Sequence, residues 1–289
     1  MGIEQRIEPL IEERAPWLFS NKLGIRKLRT FLMWLLEYRR TVEIGEHVEH
    51  MDWQDLMSHV GEIIARDVQV TGLENIPRQG AALIVANHPT GIADAVILQH
   101  QMTQVRQDAF YFTNKDVLRV VPQLEDMIAP VEWRLEKRSH AKTRETMSFA
   151  RNAISAGRVG VIFPSGRLAK RRWLRLHERP WMASAAMMAR KFDVPVIPVH
   201  IQARNSALFY LFDVIHPTLR DITLFHELLN KERQPFRITV GEPISPSALP
   251  VKSDEGIAML RKATLGLGDR GSNTVSLVKA SRKPYWLKA

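Results

Sequence analysis

The chain has 289 residues, 45% hydrophobic and 25% charged, and no cysteine. That mix excludes a disordered chain, a collagen or a coiled coil, leaves room for one large domain or two small ones, and permits no disulfide, no thiolate zinc site and no thioester carried on the protein itself. Lys and Arg number 41 against 31 Asp and Glu, and the formal charge of +10 attracts polyanions: nucleic acid, anionic lipid or phosphorylated substrates.

Residues 1–60 read as a helical segment and hold Trp17, Trp34 and Trp53, three of the seven tryptophans. Leu28, Phe31, Leu32, Leu35 and Leu36 follow the spacing of an amphipathic helix. Lys22, Arg26, Lys27, Arg29, Arg39 and Arg40 flank that stripe. Apolar and aromatic residues bordered by basic ones suit a helix lying in a membrane interface. The same stripe suits a helix packed on the protein's own core. No stretch approaches the roughly 20 apolar residues of a spanning helix, and no apolar run follows the N-terminus at once as in a signal peptide.

From residue 61 to 289 the pattern becomes short apolar runs alternating with helical segments. Strands are expected at 82–86, 109–113, 128–132, 158–163, 194–201 and 236–241. Helices are expected at 91–104, 114–121, 141–156 and 180–192, the last with proline at its start. Such alternation predicts an α/β domain with a mostly parallel central sheet flanked by helices. Lys279–Ala289 reads as a basic tail.

Two strand ends carry candidate chemistry. Val85-Ala86-Asn87-His88-Pro89-Thr90-Gly91-Ile92-Ala93-Asp94 takes a buried strand through a polar turn into a helix. Open α/β sheets place ligands at the carboxyl ends of their strands. Asp94 in the first helical turn is favoured by the helix dipole and lies within reach of an imidazole nitrogen of His88. Such a pair fixes the tautomer and leaves the other nitrogen as a general base. The bland reading makes His88 a turn residue and Asp94 a helix cap. The second segment is Phe163-Pro164-Ser165-Gly166-Arg167, followed by Lys170, Arg171, Arg172, Trp173 and Arg175. An arginine after a glycine turn suits a phosphate; a solvated basic loop is the alternative, and Trp173 admits nucleic-acid contact. Ser165 lacks the Gly-x-Ser-x-Gly flanks of a nucleophile elbow. His47-Val48-Glu49-His50 with Glu43 and Glu46 lacks a third ligand at a fixed zinc spacing.

Taken in order, these segments resemble the glycerolipid (lysophospholipid) acyltransferases. That family carries a His-x4-Asp motif, a Phe-Pro-Glu-Gly-x-Arg-like motif and a late Val-Pro-Ile-x-Pro-Val-like strand. Here they correspond to His88…Asp94, Phe163–Arg167 and Val194-Pro195-Val196-Ile197-Pro198-Val199. Asn114-Lys115-Asp116-Val117-Leu118…Pro122 is similar to the family's Lys-x-Glu-Leu…Pro segment, and Val131-Glu132-Trp133-Arg134 stands where it has an acceptor-holding arginine. The likeness covers residues 70–245. Two features depart from the pattern: the His–Asp spacing is x5, which Gly91 can absorb, and Ser165 and Arg167 replace the usual glutamate pattern. Both look like the hemolysin-type branch that includes ornithine-lipid acyltransferases. So do Arg204-Asn205-Ser206-Ala207-Leu208-Phe209, Leu219-Arg220…Glu227-Leu228 and Val240-Gly241-Glu242-Pro243-Ile244.

The resemblance implies an acyltransferase that moves a fatty acyl group from acyl-CoA or acyl carrier protein to the hydroxyl of a lysolipid. It implies His88 as base and Asp94 as its partner. Asn87, Lys115, Arg134, Phe163, Pro164, Ser165, Gly166 and Arg167 are the implied substrate-binding residues. Backbone N–H groups near the motif turns are expected to hold the oxyanion. Neither cofactor nor metal is implied. The expected partners are the two substrates and an anionic membrane surface, not nucleic acid. The expected location is cytoplasmic and bacterial, peripheral on the inner face of the membrane, with residues 1–60 as the membrane-associating segment. The rival is a non-catalytic basic protein that binds nucleic acid or anionic lipid, and a hydrolase using Ser165 stands third.

Overall fold

The computed structural model describes residues 2–132, 139–268 and 274–281. Four helices lead: α1 (Ile3–Arg14), α2 (Leu23–Leu35), α3 (Tyr38–Val48) and α4 (Trp53–Ile64). Then β1 (Val68–Thr71), β2 (Ala82–Ala86), α5 (Ile92–Met102), β3 (Phe110–Asn114), α6 (Val117–Val120), β4 (Ile128–Val131), α7 (His140–Ser155) and β5 (Val159–Ile162) alternate. A hairpin of β6 (Lys170–Arg172) and β7 (Arg175–His177) precedes α8 (Ser184–Phe192) and β8 (Val196–Gln202). The remainder is α9 (Ala207–Ile215), α10 (Pro217–Ile222), α11 (Leu224–Leu229), β9 (Phe236–Val240), α12 (Ser253–Gly266) and β10 (Thr274–Ser276).

Seven strands form one sheet in the order β1-β9-β8-β2-β5-β3-β4. Its pairs are parallel except β8 with β9. β2 lies at the centre, and every residue of Ala82–Ala86 is buried, as an uninterrupted apolar run in a sheet covered on both faces requires. One face packs α4 and α5 through residues such as Val60, Ile64, Ile97 and Leu98. The other packs α7, α8 and α12 through Ala150, Ala186 and Leu260. Gly160 in β5 admits the Phe110 ring, which a β-carbon would meet at 2.8 Å. β6, β7 and β10 make a second, antiparallel sheet in the order β10-β7-β6.

Three expectations change. The basic run at Lys170–Arg175 is a β-hairpin, with Leu176 buried beneath it. α8 begins at Ser184, not at Pro180, because Met182 N–H donates to the Pro164 carbonyl at 3.0 Å and holds the preceding stretch against the loop after β5. The leucine stripe divides: Leu32 and Leu36 are buried and Leu35 half-buried, packed with Leu18 and with Phe212 of α9, whereas Leu28 is exposed. Phe31 lies on the opposite, exposed face with Leu23 and Trp34. A 3.6-residue repeat separates the two faces, since Leu23, Arg26, Lys27, Thr30, Phe31 and Trp34 share one side.

Candidate active site

The site begins where β2 stops. Asn87, buried, accepts the Ile201 N–H at 2.6 Å and donates to the Ile201 carbonyl at 2.8 Å. Its amide is thereby engaged with β8, and it straps the start of the turn to the neighbouring strand. His88 follows with a partly exposed ring. Its Nδ1 lies 2.9 Å from Asp94 Oδ2. Asp94 is fully buried in the first turn of α5 and also accepts Thr90 N–H at 2.9 Å, Gly91 N–H at 3.0 Å and Thr90 Oγ1–H at 2.6 Å. Gly91 makes this geometry possible: at φ 101 and ψ −133 it holds a conformation open essentially to glycine alone, and it takes up the residue that separates x5 from x4 spacing.

The loop after β5 closes the other side. The Phe163 ring stacks on His88 with centroids 4.3 Å apart and planes inclined by 25°. Pro164 and Ser165 are buried, Gly166 turns at φ 58, and Ser165 Oγ donates to the Arg167 carbonyl at 2.8 Å. Arg167 is exposed. Lys115 stands at the end of β3, separated from β2 by β5, and its Nζ meets Glu145 of α7 at 3.2 Å. Arg134 lies outside the described residues. The structure thus gathers Asn87, His88, Asp94 and Phe163–Arg167 at one sheet edge and pairs Lys115 elsewhere. Among the described residues no group of three or more His, Asp or Glu is placed to hold a metal.

Two groups that sequence reading passed over complete the site. Glu178, just past β7, is buried; its Oε2 accepts His88 N–H at 3.2 Å and its Oε1 accepts Trp181 Nε1–H at 3.1 Å. Burial raises its pKa, while hydrogen bonds from Trp181, His88 and Ser165 work the other way. Ala169 N–H donates to the His88 carbonyl at 2.9 Å. The two legs of the hairpin therefore hold both main-chain polar groups of His88. The available signal was that Glu178 is the only acid in the basic stretch 168–180. The second group is a buried ion pair behind Asp94. Lys231 Nζ donates to Asn205 Oδ1 at 2.9 Å and to Glu227 Oε2 at 3.3 Å. Asn205 Nδ2 reaches the Thr90 carbonyl at 3.3 Å, and Glu227 accepts from the backbone N–H and the hydroxyl of Ser206. Burial lowers the Lys231 pKa, and Glu227 opposes that shift. Nothing in the polar run Asn230–Arg233 marks Lys231 as internal.

In the first turn the N–H groups of His88, Thr90 and Gly91 are all taken and Pro89 has none.

Residues 67–202, from the edge of β1 through β8, match the family model described as "Acyltransferase". A lyso-glycine lipid O-acyltransferase of Phocaeicola vulgatus is 23% identical over 225 residues, 71% of this chain and 79% of that protein. One of Bacteroides thetaiotaomicron is 23% identical over 196 residues, 66% of this chain and 70% of the other. Among solved structures, the 1-acyl-sn-glycerophosphate (LPA) acyltransferase PlsC of Thermotoga maritima shares the fold at a TM-score of 0.51 and 15% identity, across 84% of this chain and 96% of that one.

Proposed function

We propose that the chain, whose residues 67–202 match the acyltransferase family model and whose relatives acylate lyso-lipids, is a glycerolipid-type acyltransferase that esterifies a lysolipid hydroxyl from an acyl thioester by general-base catalysis at His88. The observation that carries this reading is the 2.9 Å contact between His88 Nδ1 and a buried Asp94 at the carboxyl end of the central strand. With Nδ1–H donating to Asp94, Nε2 keeps its lone pair. Nε2 takes the proton of the acceptor hydroxyl as its oxygen attacks the thioester carbonyl carbon. The tetrahedral intermediate then expels the thiolate, which takes the proton back from Nε2, leaving an ester and a free thiol. Asp94 stabilises the transient imidazolium. Oxyanion support comes from backbone N–H groups near the two motif turns. Arg167, exposed beyond the glycine turn, meets the anionic part of the acceptor.

The names of the two relatives favour an amino-acid lyso-lipid acceptor, with the donor on CoA or acyl carrier protein. Among the described residues no helix is long and apolar enough to cross a membrane. On this reading residues 1–60 associate with the inner face of a bacterial membrane and residues 61–289 carry the catalysis. The outward Leu23, Phe31 and Trp34 of α2 beside Arg26 and Lys27 support that placement.

The test is acyl transfer, read by mass spectrometry, with acyl-CoA and acyl carrier protein donors and a panel that includes lyso-glycine lipid and lysophosphatidic acid. His88→Ala serves as the control and should lose a factor of roughly 10²–10⁴ with an unchanged melting curve. No ester on any acceptor, or a His88→Ala variant within threefold of wild type, overturns the reading.

A further inference from the structure

The β6–β7 hairpin ends in a two-residue turn, since Arg172 pairs with Arg175 across it. Such turns favour Asn, Asp and Gly. Here the turn is Trp173-Leu174, with Trp173 at φ 54, a conformation that bulky residues adopt at a cost. Trp173 is 91% exposed and Leu174 62%. The tip therefore presents two large apolar side chains to solvent, one of them, Trp173, on a strained backbone. Lys170, Arg171, Arg172 and Arg175 surround it.

The neighbouring α9 repeats the anomaly. Its inner residues Phe209 and Tyr210 pack with Leu176 of the hairpin, and Phe212 packs with Leu32 and Leu36 of α2. Arg171 stacks over the Tyr210 ring at 5.4 Å. Its outer face is apolar as well, with Leu211, Val214 and Ile215 exposed at 54%, 71% and 58%. Apart from Asp213, paired with Arg220, the helix is apolar on both its inner and outer sides, as suits a core or a lipid contact. The strands of the hairpin thus pack on α9, and its legs grip the main chain of His88.

We propose that the hairpin tip and the outer face of α9 form a membrane-contact surface distinct from residues 1–60, which seats the His88 site directly on an anionic bilayer. This rests on the reading that the acceptor is a membrane lipid. Charge complementarity selects the occupant: Trp173 and Leu174 enter the interface, and the exposed Lys170 and Arg172 meet lipid phosphates.

Flotation with vesicles of phosphatidylcholine and phosphatidylglycerol tests it, using the full chain, Trp173→Asn/Leu174→Ser and, on α9, Leu211→Gln/Ile215→Gln. Each variant should bind about tenfold more weakly, acylate vesicle-embedded acceptor proportionately less, and acylate acceptor dispersed as monomers at the wild-type rate. The hairpin variant should melt at the wild-type temperature or above, because asparagine relieves the positive φ; a lower melting temperature with unchanged flotation makes Trp173 structural and overturns the proposal. It is also overturned if wild type floats and both variants float equally, or if the hairpin variant loses binding to a single-stranded oligonucleotide while keeping its vesicle affinity. Wild type that never floats removes the membrane placement altogether, whereas wild type inactive on monomeric acceptor removes the acyl-transfer reading instead.

Discussion

Asp94→Asn separates the two services that Asp94 gives His88, orientation and countercharge. Oδ2 receives three donors, His88 Nδ1 and the N–H groups of Thr90 and Gly91, whereas Oδ1 receives only the Thr90 hydroxyl. An asparagine must therefore put its carbonyl oxygen where Oδ2 stands, since an NH₂ there would face three donors. Its NH₂ then meets Thr90 Oγ1, which rotates to accept. The imidazole keeps its tautomer and loses only the negative charge. With the charge centres about 4 Å apart and an effective dielectric near 20, that charge contributes about 4 kcal/mol to the imidazolium, or roughly a 10³-fold loss in turnover. Initial rates against acceptor concentration should show this loss in kcat with little change in KM. Asp94→Ala, which also orphans buried N–H groups, should lower the melting temperature as well. An asparagine variant within threefold of wild-type turnover refutes the reasoning.

Arg167→Ala should raise the acceptor KM more than it lowers kcat, because an exposed guanidinium beyond a glycine turn offers ground-state binding; steady-state kinetics with an anionic lysolipid decide it. Gly91→Ala should cost about 1–3 kcal/mol in thermal unfolding and depress turnover, because the residue sits at φ 101 and a β-carbon would approach Leu168 Cδ2 to 3.1 Å. Lys231→Met should destabilise the fold by about 3–5 kcal/mol in urea titration, since it leaves Glu227 buried and unpaired; Lys231→Met with Glu227→Gln should recover part of that loss.

Much of the sheet was legible because its central strands are short apolar runs closed by Pro, Gly or Asn. β2, β5 and β8 fall within two residues of where the sequence places them. β1 was not, because Val68–Thr71 is a half-buried edge strand with only four residues to show its alternation. The hairpin was hidden because each of its strands has three residues, and only Leu176 among them is buried. In α2 the apolar residues were visible but their phase was not: Phe31 joins either stripe on a spacing count, and only the packing of Leu32 and Leu36 against Phe212 separates them. His88 and Asp94 were legible because one turn of chain connects them. Glu178, Asn205 and Lys231 were not, because they reach the same place from remote segments that only the folded sheet brings together.

The grip of the hairpin on His88 has a mechanical consequence. Ala169 and Glu178 stand at the feet of a lever formed by β6 and β7 and braced by β10, with Trp173 at its tip, and both feet are fastened to the peptide groups flanking one imidazole-bearing α-carbon. A tilt of the lever cannot be absorbed at its base without lengthening one of two hydrogen bonds of 2.9 and 3.2 Å. His88 is thus suspended between the central sheet, through Asn87, and the hairpin, so the position of its ring is a sum of two attachments rather than a property of the strand that carries it.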